Sequence, residues 1–213
     1  MLNGPRLAPS SGGKAKNLVV FLHGYGANGD DLIDIGRHWA HILPDTAFAS
    51  PHAPEPCAGA PMGRQWFALT MRDPSERWRG TSAAAAGLNA YLDSELQRYA
   101  LDGTRLALVG FSQGTMMALH VGLRRLRGPG AILGYSGLLA GPEHLGEATA
   151  TPPILLIHGD QDQMLPINFM FDAAQALGEA GRPARFHVCP GLGHGIDGEG
   201  LRLGGQFLSE ALA

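Results

Sequence analysis

Short apolar runs recur along the chain at residues 17–22, 46–50, 105–109, 131–135, 154–157 and 185–188. The first, Asn17-Leu-Val-Val-Phe-Leu22, is apolar almost without a break and partly β-branched, as a strand covered on both faces must be. Between the runs lie stretches whose apolar residues follow helical spacing, at 31–43, 81–99, 115–126, 168–180 and 201–212. In the second of these, Leu88, Leu92, Leu96 and Tyr99 share one stripe, and Ser82 is the expected N-cap. Strands alternating with helices predict an α/β fold, a mostly parallel sheet with helices on both faces. Pro9-Ser-Ser-Gly-Gly13 reads as part of a flexible or hairpin lead-in over residues 1–16. No repeat or linker divides the remainder, so a single domain over 1–213 is expected.

In sheets of this kind the chemistry gathers at the carboxyl ends of the strands, and the polar residues that follow the apolar runs are informative. After Leu106-Ala-Leu-Val109 comes Gly110-Phe-Ser-Gln-Gly114, which opens the helical stretch Thr115-Met-Met-Ala-Leu-His-Val121. Gly-x-Ser-x-Gly between a strand and a helix is the pattern of a nucleophile elbow, a sharp turn that only small flanking residues permit. It would present the Ser112 hydroxyl at a helix N-terminus, where backbone N–H groups and the helix dipole favour a developing negative charge.

A serine hydroxyl needs a base to take its proton, and the base needs an acid to orient it. Of nine histidines, His194 is the candidate base, standing in Gly191-Leu-Gly-His-Gly195 after the last apolar run. His187 and His120 fall inside a strand and a helix, His38 and His41 in an early helix, and His144 in a short polar stretch. For the acid, His158-Gly-Asp-Gln-Asp162 offers two carboxylates, and spacing alone does not separate Asp160 from Asp162. Oxyanion donors are expected from the N–H of Gln113, after the nucleophile, and the N–H of Tyr25 in the loop Leu22-His-Gly-Tyr-Gly26. His23 in that loop is expected to be structural.

Apolar residues near these loops form a candidate substrate pocket: Trp66, Phe67, Leu69 and Met71 in one group, with Met164, Leu165 and Ile196 flanking the acid and base. Trp66 and Phe67 read equally as core residues or as contacts in a homodimer.

Composition narrows the remaining classes. The chain is 45% hydrophobic and 16% charged, with a formal net charge of −3, so nothing points to disorder, nucleic acid or an anionic membrane surface. No segment approaches a membrane span, and the N-terminal residues lack the apolar stretch of a signal peptide. Two cysteines, Cys57 and Cys189, are expected as free thiols in a reducing compartment, with the cytoplasm as default. His158, Asp160, Asp162 and His194 lack a recognised metal-ligand spacing, so no metal and no cofactor are expected.

Taken together, Leu22-His-Gly-Tyr-Gly26, Gly110-Phe-Ser-Gln-Gly114, His158-Gly-Asp-Gln-Asp-Gln-Met-Leu-Pro166 and Gly193-His194 resemble the phospholipase/carboxylesterase family of α/β-hydrolases, which includes the acyl-protein thioesterases. Pro51-His-Ala-Pro54 and Gln65-Trp-Phe67 add to the resemblance, which runs from about Leu18 to the C-terminus. It implies an α/β-hydrolase fold without a large lid domain and a Ser112–Asp162–His194 triad, with the second Asp of the His-Gly-Asp-x-Asp element as acid. It likewise places the oxyanion donors at Tyr25 and Gln113. The implied activity is that of a serine carboxylesterase acting on small ester substrates of short to medium chain. An acyl-protein thioesterase or lysophospholipase, or a non-catalytic binding protein on the same scaffold, are the alternatives. Tyr25 departs from the smaller or aliphatic residue of the thioesterases, which would narrow the acyl entrance. No N-terminal cysteine is present for lipidation.

Overall fold

The computed structural model describes residues 2–70, 72–73 and 75–213. In chain order the elements are β1 (Arg6–Leu7), β2 (Asn17–Leu22), α1 (Asp30–Trp39), β3 (Thr46–Ala49), β4 (Glu55–Pro56), β5 (Arg64–Gln65) and α2 (Ser75–Tyr99). There follow β6 (Leu106–Phe111), α3 (Gln113–Gly122), β7 (Ala131–Tyr135), β8 (Ile154–Gly159), α4 (Asn168–Glu179), β9 (Arg185–Cys189) and α5 (Gly198–Ala211).

The main sheet has the order β1-β3-β2-β6-β7-β8-β9, parallel throughout except for β1, which runs antiparallel to β3 at one edge. The unbroken apolar character of β2 follows from its central place. Leu18, Val20 and Leu22 point into the core layer shared with α2, α3 and α4, while Val19 and Phe21 point into the layer under α1 and α5. Helix α3 is buried at every position, from Gln113 to Gly122, which is why its apolar residues, Met116 to Leu119 and Val121, are not confined to one stripe. Emptying either layer would be costly: truncating Phe21, which stacks on Phe48 with centroids 6.0 Å apart, should remove about 3–5 kcal/mol.

From β2 the chain moves outward to β3 and returns to β6 on the other side. The switch point of the sheet therefore lies between β2 and β6, the place where open sheets of this kind bind their ligands. Register brings those ends level, since Leu22 pairs with Gly110, Phe111 with Tyr135, Tyr135 with Ile157, and Gly159 with Cys189.

Several elements differ from the sequence expectation. The lead-in carries a strand, Arg6–Leu7, held to α2 by the Arg6 guanidinium on the buried Glu95 carboxylate at 2.7 and 2.8 Å. Helix α2 begins at Ser75, so Ser82 lies inside it and is not a cap; the Asp73 carboxylate accepts from the Ser75 N–H at 2.9 Å instead. Glycine at position 80 makes the extra turns feasible, because a Cβ there would sit 2.2 Å from the Phe67 ring. Helix α3 stops at Gly122, short of residue 126, and two arginines beyond it have partners. Arg124 lies 4.8 Å over the Trp78 ring, and Arg125 pairs with Asp93 at 2.5 Å. Among the described residues no helix is long and apolar enough to cross a membrane.

Candidate active site

Ser112 sits between β6 and α3 with φ 54° and ψ −115°, a strained conformation for any residue with a side chain. Close packing enforces the turn. A Cβ on Gly110 would lie 2.4 Å from the Thr115 nitrogen, and one on Gly114 would lie 1.8 Å from the Leu22 carbonyl oxygen. The Ser112 N–H donates to the Tyr135 carbonyl at 2.9 Å, tying the elbow to the end of β7. Its side chain is nearly buried and adjoins the loop after β2, where a Cβ built on Gly24 would be 3.3 Å from that of Ser112.

The loops after β8 and β9 meet beside it. His194 Nδ1 is 2.7 Å from Asp162 Oδ2, and the His194 ring packs against Phe111, the neighbour of Ser112, with centroids 5.0 Å apart. Because a carboxylate only accepts, Nδ1 carries the proton and Nε2 is left as the basic nitrogen. Asp162 is buried and fully engaged: Oδ1 accepts from the N–H groups of Met164 and Leu165, each at 2.9 Å. Burial pushes the Asp162 carboxyl pKa up, but the Leu165 N–H, His194 and the Met164 N–H together outweigh it, so the group stays ionised below its ordinary range. Asp160, left open beside Asp162 by the sequence, points elsewhere. Its Oδ1 accepts from the Gly191 N–H at 2.7 Å and holds the base of the histidine loop.

The two N–H groups expected to face an oxyanion are available. Tyr25 N–H has no acceptor among the described residues, and Gln113 N–H belongs to the first turn of α3, where helical N–H groups lack intrahelical partners. The Gln113 side chain is committed to structure: its Oε1 accepts from the Trp66 N–H at 2.9 Å and its Nε2 donates to the Phe67 carbonyl at 2.8 Å. His23 is a buried scaffold. Nδ1 donates to the Gly24 carbonyl at 2.8 Å and Nε2 accepts from the Ala53 N–H at 3.0 Å, while burial pushes its pKa down and keeps it neutral.

The seven residues proposed to line a pocket separate. Trp66 and Phe67 are 1% and 4% exposed and belong to the core; the Trp66 indole donates to the His23 carbonyl at 2.9 Å. Burial corrects the expectation that Trp66 could serve as an exposed dimer contact. It acts on the site from beneath, through the loops that carry Tyr25 and Gln113. Leu165 is also buried in the core, whereas Leu69 and Ile196 are half-buried and Met164 is 68% exposed beside Asp162. Met71 lies outside the described residues. Tyr25 is 45% exposed, and the neighbouring Cys57 thiol raises the phenol pKa. Cys57 and Cys189 are both free and buried, and burial together with Asp197 pushes the Cys189 thiol up to about 12. Among the described residues no group of three or more His, Cys, Asp or Glu side chains could hold a metal ion.

Two residues beside the site have parts that the sequence does not show: it marks His158 only as the start of its motif and as a metal-ligand candidate without a recognised spacing, and Ser136 not at all. His158, 1% exposed, directs Nε2 to the Leu165 carbonyl at 2.8 Å and lies 3.2 Å from Asp162 Oδ2. Ser136 follows β7 with a positive φ of 44°, and its hydroxyl donates to the Gly195 carbonyl, next to His194.

Known proteins are similar to this chain in sequence and fold. A solved structure of esterase PE8 superposes with a TM-score of 0.95 at 43% identity, covering 99% of each chain. Among curated proteins, esterase YpfH of Escherichia coli K12 is 29% identical over 88% of this chain and 80% of its own length. Acyl-protein thioesterase 1 of Neurospora crassa is 28% identical over 91% of this chain and 86% of its own. The model of the phospholipase/carboxylesterase family matches residues 7–212, and the chain belongs to that family of α/β-hydrolases.

Proposed function

We propose that this protein is a serine carboxylesterase that hydrolyses short- to medium-chain carboxylic esters through an acyl-enzyme on Ser112. The observation that carries the reading is the pairing of a strained serine at the N-terminus of α3 with a His194–Asp162 hydrogen bond of 2.7 Å at the same sheet edge. In the first step the Ser112 hydroxyl attacks the ester carbonyl carbon while His194 Nε2 takes its proton. Asp162 stabilises the imidazolium that forms. The carbonyl oxygen, now negative, is received by the N–H groups of Tyr25 and Gln113. Collapse of the tetrahedral adduct expels the alcohol, which leaves with the proton from His194. Water then repeats the attack on the acyl-enzyme with the same roles, releasing the carboxylic acid and restoring Ser112.

Several features support small esters over large lipid substrates. Tyr25 stands partly exposed at the oxyanion loop, and the exposed side chain of Met164, unbranched and adaptable, borders the acid. The names of two relatives, esterase for YpfH and PE8, agree with a carboxylesterase. Two free, buried thiols fit a reducing compartment, and the cytoplasm is the proposed location.

The test is turnover of 4-nitrophenyl acetate, butyrate, octanoate and palmitate by wild type and Ser112→Ala, beside a palmitoyl thioester. Activity on the shorter oxygen esters that the substitution abolishes supports the proposal. Turnover mainly of the thioester moves the assignment to an acyl-protein thioesterase, and retained activity in Ser112→Ala refutes the mechanism.

A further inference from the structure

Ser136 is held in a conformation that disfavours every residue except glycine, yet it is a serine, and its side chain is buried. Its φ is 44°, in the left-handed region, and it is 1% exposed. A glycine would relieve the backbone, so the hydroxyl is what the position gains in exchange for strain. That hydroxyl donates to the Gly195 carbonyl at 2.9 Å, and the Ser136 N–H donates to the Ile157 carbonyl at 2.9 Å.

The histidine loop depends on this contact. Its first part is tied down by the Gly191 N–H on Asp160 and by the Leu192 carbonyl, which accepts from the Gln161 N–H at 2.9 Å. Its end is fixed where the Asp197 carboxylate caps α5, accepting from the Gly200 N–H at 2.7 Å. Between them, residues 193–196 make two hydrogen bonds among the described residues: His194 to Asp162, and the Gly195 carbonyl from Ser136. Gly193 and Gly195 flank His194, so the main chain contributes little stiffness of its own.

The residue before Ser136 serves the nucleophile. The Tyr135 carbonyl accepts from the Ser112 N–H and from the Thr115 hydroxyl, each at 2.9 Å, and the Tyr135 phenol donates to the Gly200 carbonyl at 3.0 Å. One dipeptide at the end of β7 therefore anchors the turn that carries Ser112 and the loop that carries His194. A base that must first accept and then return a proton has to keep its distance from the nucleophile within a fraction of an ångström.

We propose that Ser136 is a positioning residue, its hydroxyl holding the Gly195 carbonyl so that His194 stays within reach of Ser112 through both steps of acyl transfer. This rests on the Ser112–His194 reading above. It does not place Ser136 in contact with substrate, so the effect should fall on turnover rather than on binding.

The experiment compares Ser136→Gly, Ser136→Ala and Ser112→Ala with wild type, measuring kcat and KM on 4-nitrophenyl butyrate and the melting temperature of each. Ser136→Gly separates the two roles of the residue, because it removes the hydroxyl while relieving the backbone. The expected result is a fall in kcat of about tenfold or more with KM within about twofold, at a melting temperature equal to or above wild type. Ser136→Ala should lose kcat similarly. A Ser136→Gly enzyme with kcat within about twofold of wild type, beside an inactive Ser112→Ala, overturns the proposal alone; so does a parallel loss of kcat and melting temperature in Ser136→Gly, which would make the contact one of general stability. Retained activity in Ser112→Ala overturns the serine reading and this proposal with it.

Discussion

His158 Nε2 lies 3.2 Å from Asp162 Oδ2, the same oxygen that accepts from His194 Nδ1 at 2.7 Å. With the Met164 and Leu165 N–H groups on Oδ1 and the His194 N–H on Oδ2, donors engage both oxygens of a carboxylate that is buried from water. Asparagine has one acceptor oxygen and brings two N–H donors of its own, so Asp162→Asn sets donors against donors. We expect Asp162→Asn to lower kcat about a thousandfold or more, as loss of the orienting carboxylate does in a serine triad, and to lower stability as well. Asp160→Asn keeps an oxygen for the Gly191 N–H and should stay within a few-fold of wild-type kcat. Steady-state kinetics on one aryl ester decide it, and a larger loss in Asp160→Asn would reverse the assignment.

Acid should weaken the fold through two buried carboxylates. At Asp162, and at Glu95, burial raises the pKa. At Glu95 the hydrogen bonds and charge of Arg6, with Arg98, outweigh it, as the loop N–H groups and His194 do at Asp162. Both folded-state values thus lie below their ordinary ones. Their stabilisation is complete above the unfolded-state pKa values of about 4 and is lost as pH falls through the lower folded-state values. Melting temperatures measured between about pH 3 and pH 7 should fall steeply only at the acid end. Glu95→Gln should start lower at neutral pH and show a shallower acid slope. An unchanged slope in that variant would remove Glu95 from the account.

The fold was legible, and the candidate reacting groups stood out, because each leaves a local mark. A buried parallel strand is apolar without alternation, and the elbow forces glycines at positions 110 and 114. Helix α2 was harder, because its first turns, from Ser75 to Gly80, are charged and owe their helicity to Asp73 and to the room that Gly80 leaves for Phe67. Trp66 left two readings open, since an aromatic residue looks the same in sequence whether it lines a cleft or supports one from below. The place of His158 against Asp162, and Ser136 altogether, were illegible for a different reason. Their roles lie in contacts to Leu165, Asp162 and Gly195, which exist only once β7, β8 and β9 lie side by side.

Glycines in this chain should divide sharply by what surrounds them. A Cβ at Gly114 would meet the Leu22 carbonyl oxygen at 1.8 Å, backbone that cannot yield without moving β2 against α3. Gly114→Ala should therefore cost upwards of about 3 kcal/mol and abolish activity in whatever protein remains folded. Gly87 lies within α2 on an exposed face, and a Cβ added there would meet no atom within 4 Å. Gly87→Ala should stabilise by roughly 0.5–1 kcal/mol through helix propensity alone, with kcat unchanged. Denaturant titration of both variants tests the contrast, and similar midpoints would contradict it.

Tyr25 separates a backbone role from a side-chain role at one position. Its N–H is the proposed oxyanion donor and survives any substitution but proline, whereas its ring is 45% exposed with the phenol near the Cys57 thiol. Tyr25→Ala should consequently keep kcat on 4-nitrophenyl acetate within a few-fold of wild type, because the donor to the developing charge is unchanged. Removing the ring should widen the acyl entrance, so kcat/KM should shift toward the octanoate and palmitate esters relative to acetate. Tyr25→Phe, which keeps the ring and loses only the hydroxyl, should retain the wild-type chain-length profile. A collapse of acetate turnover in Tyr25→Ala would mean that the ring itself orders the oxyanion loop. An unshifted profile would mean that the acyl chain leaves the site by another face.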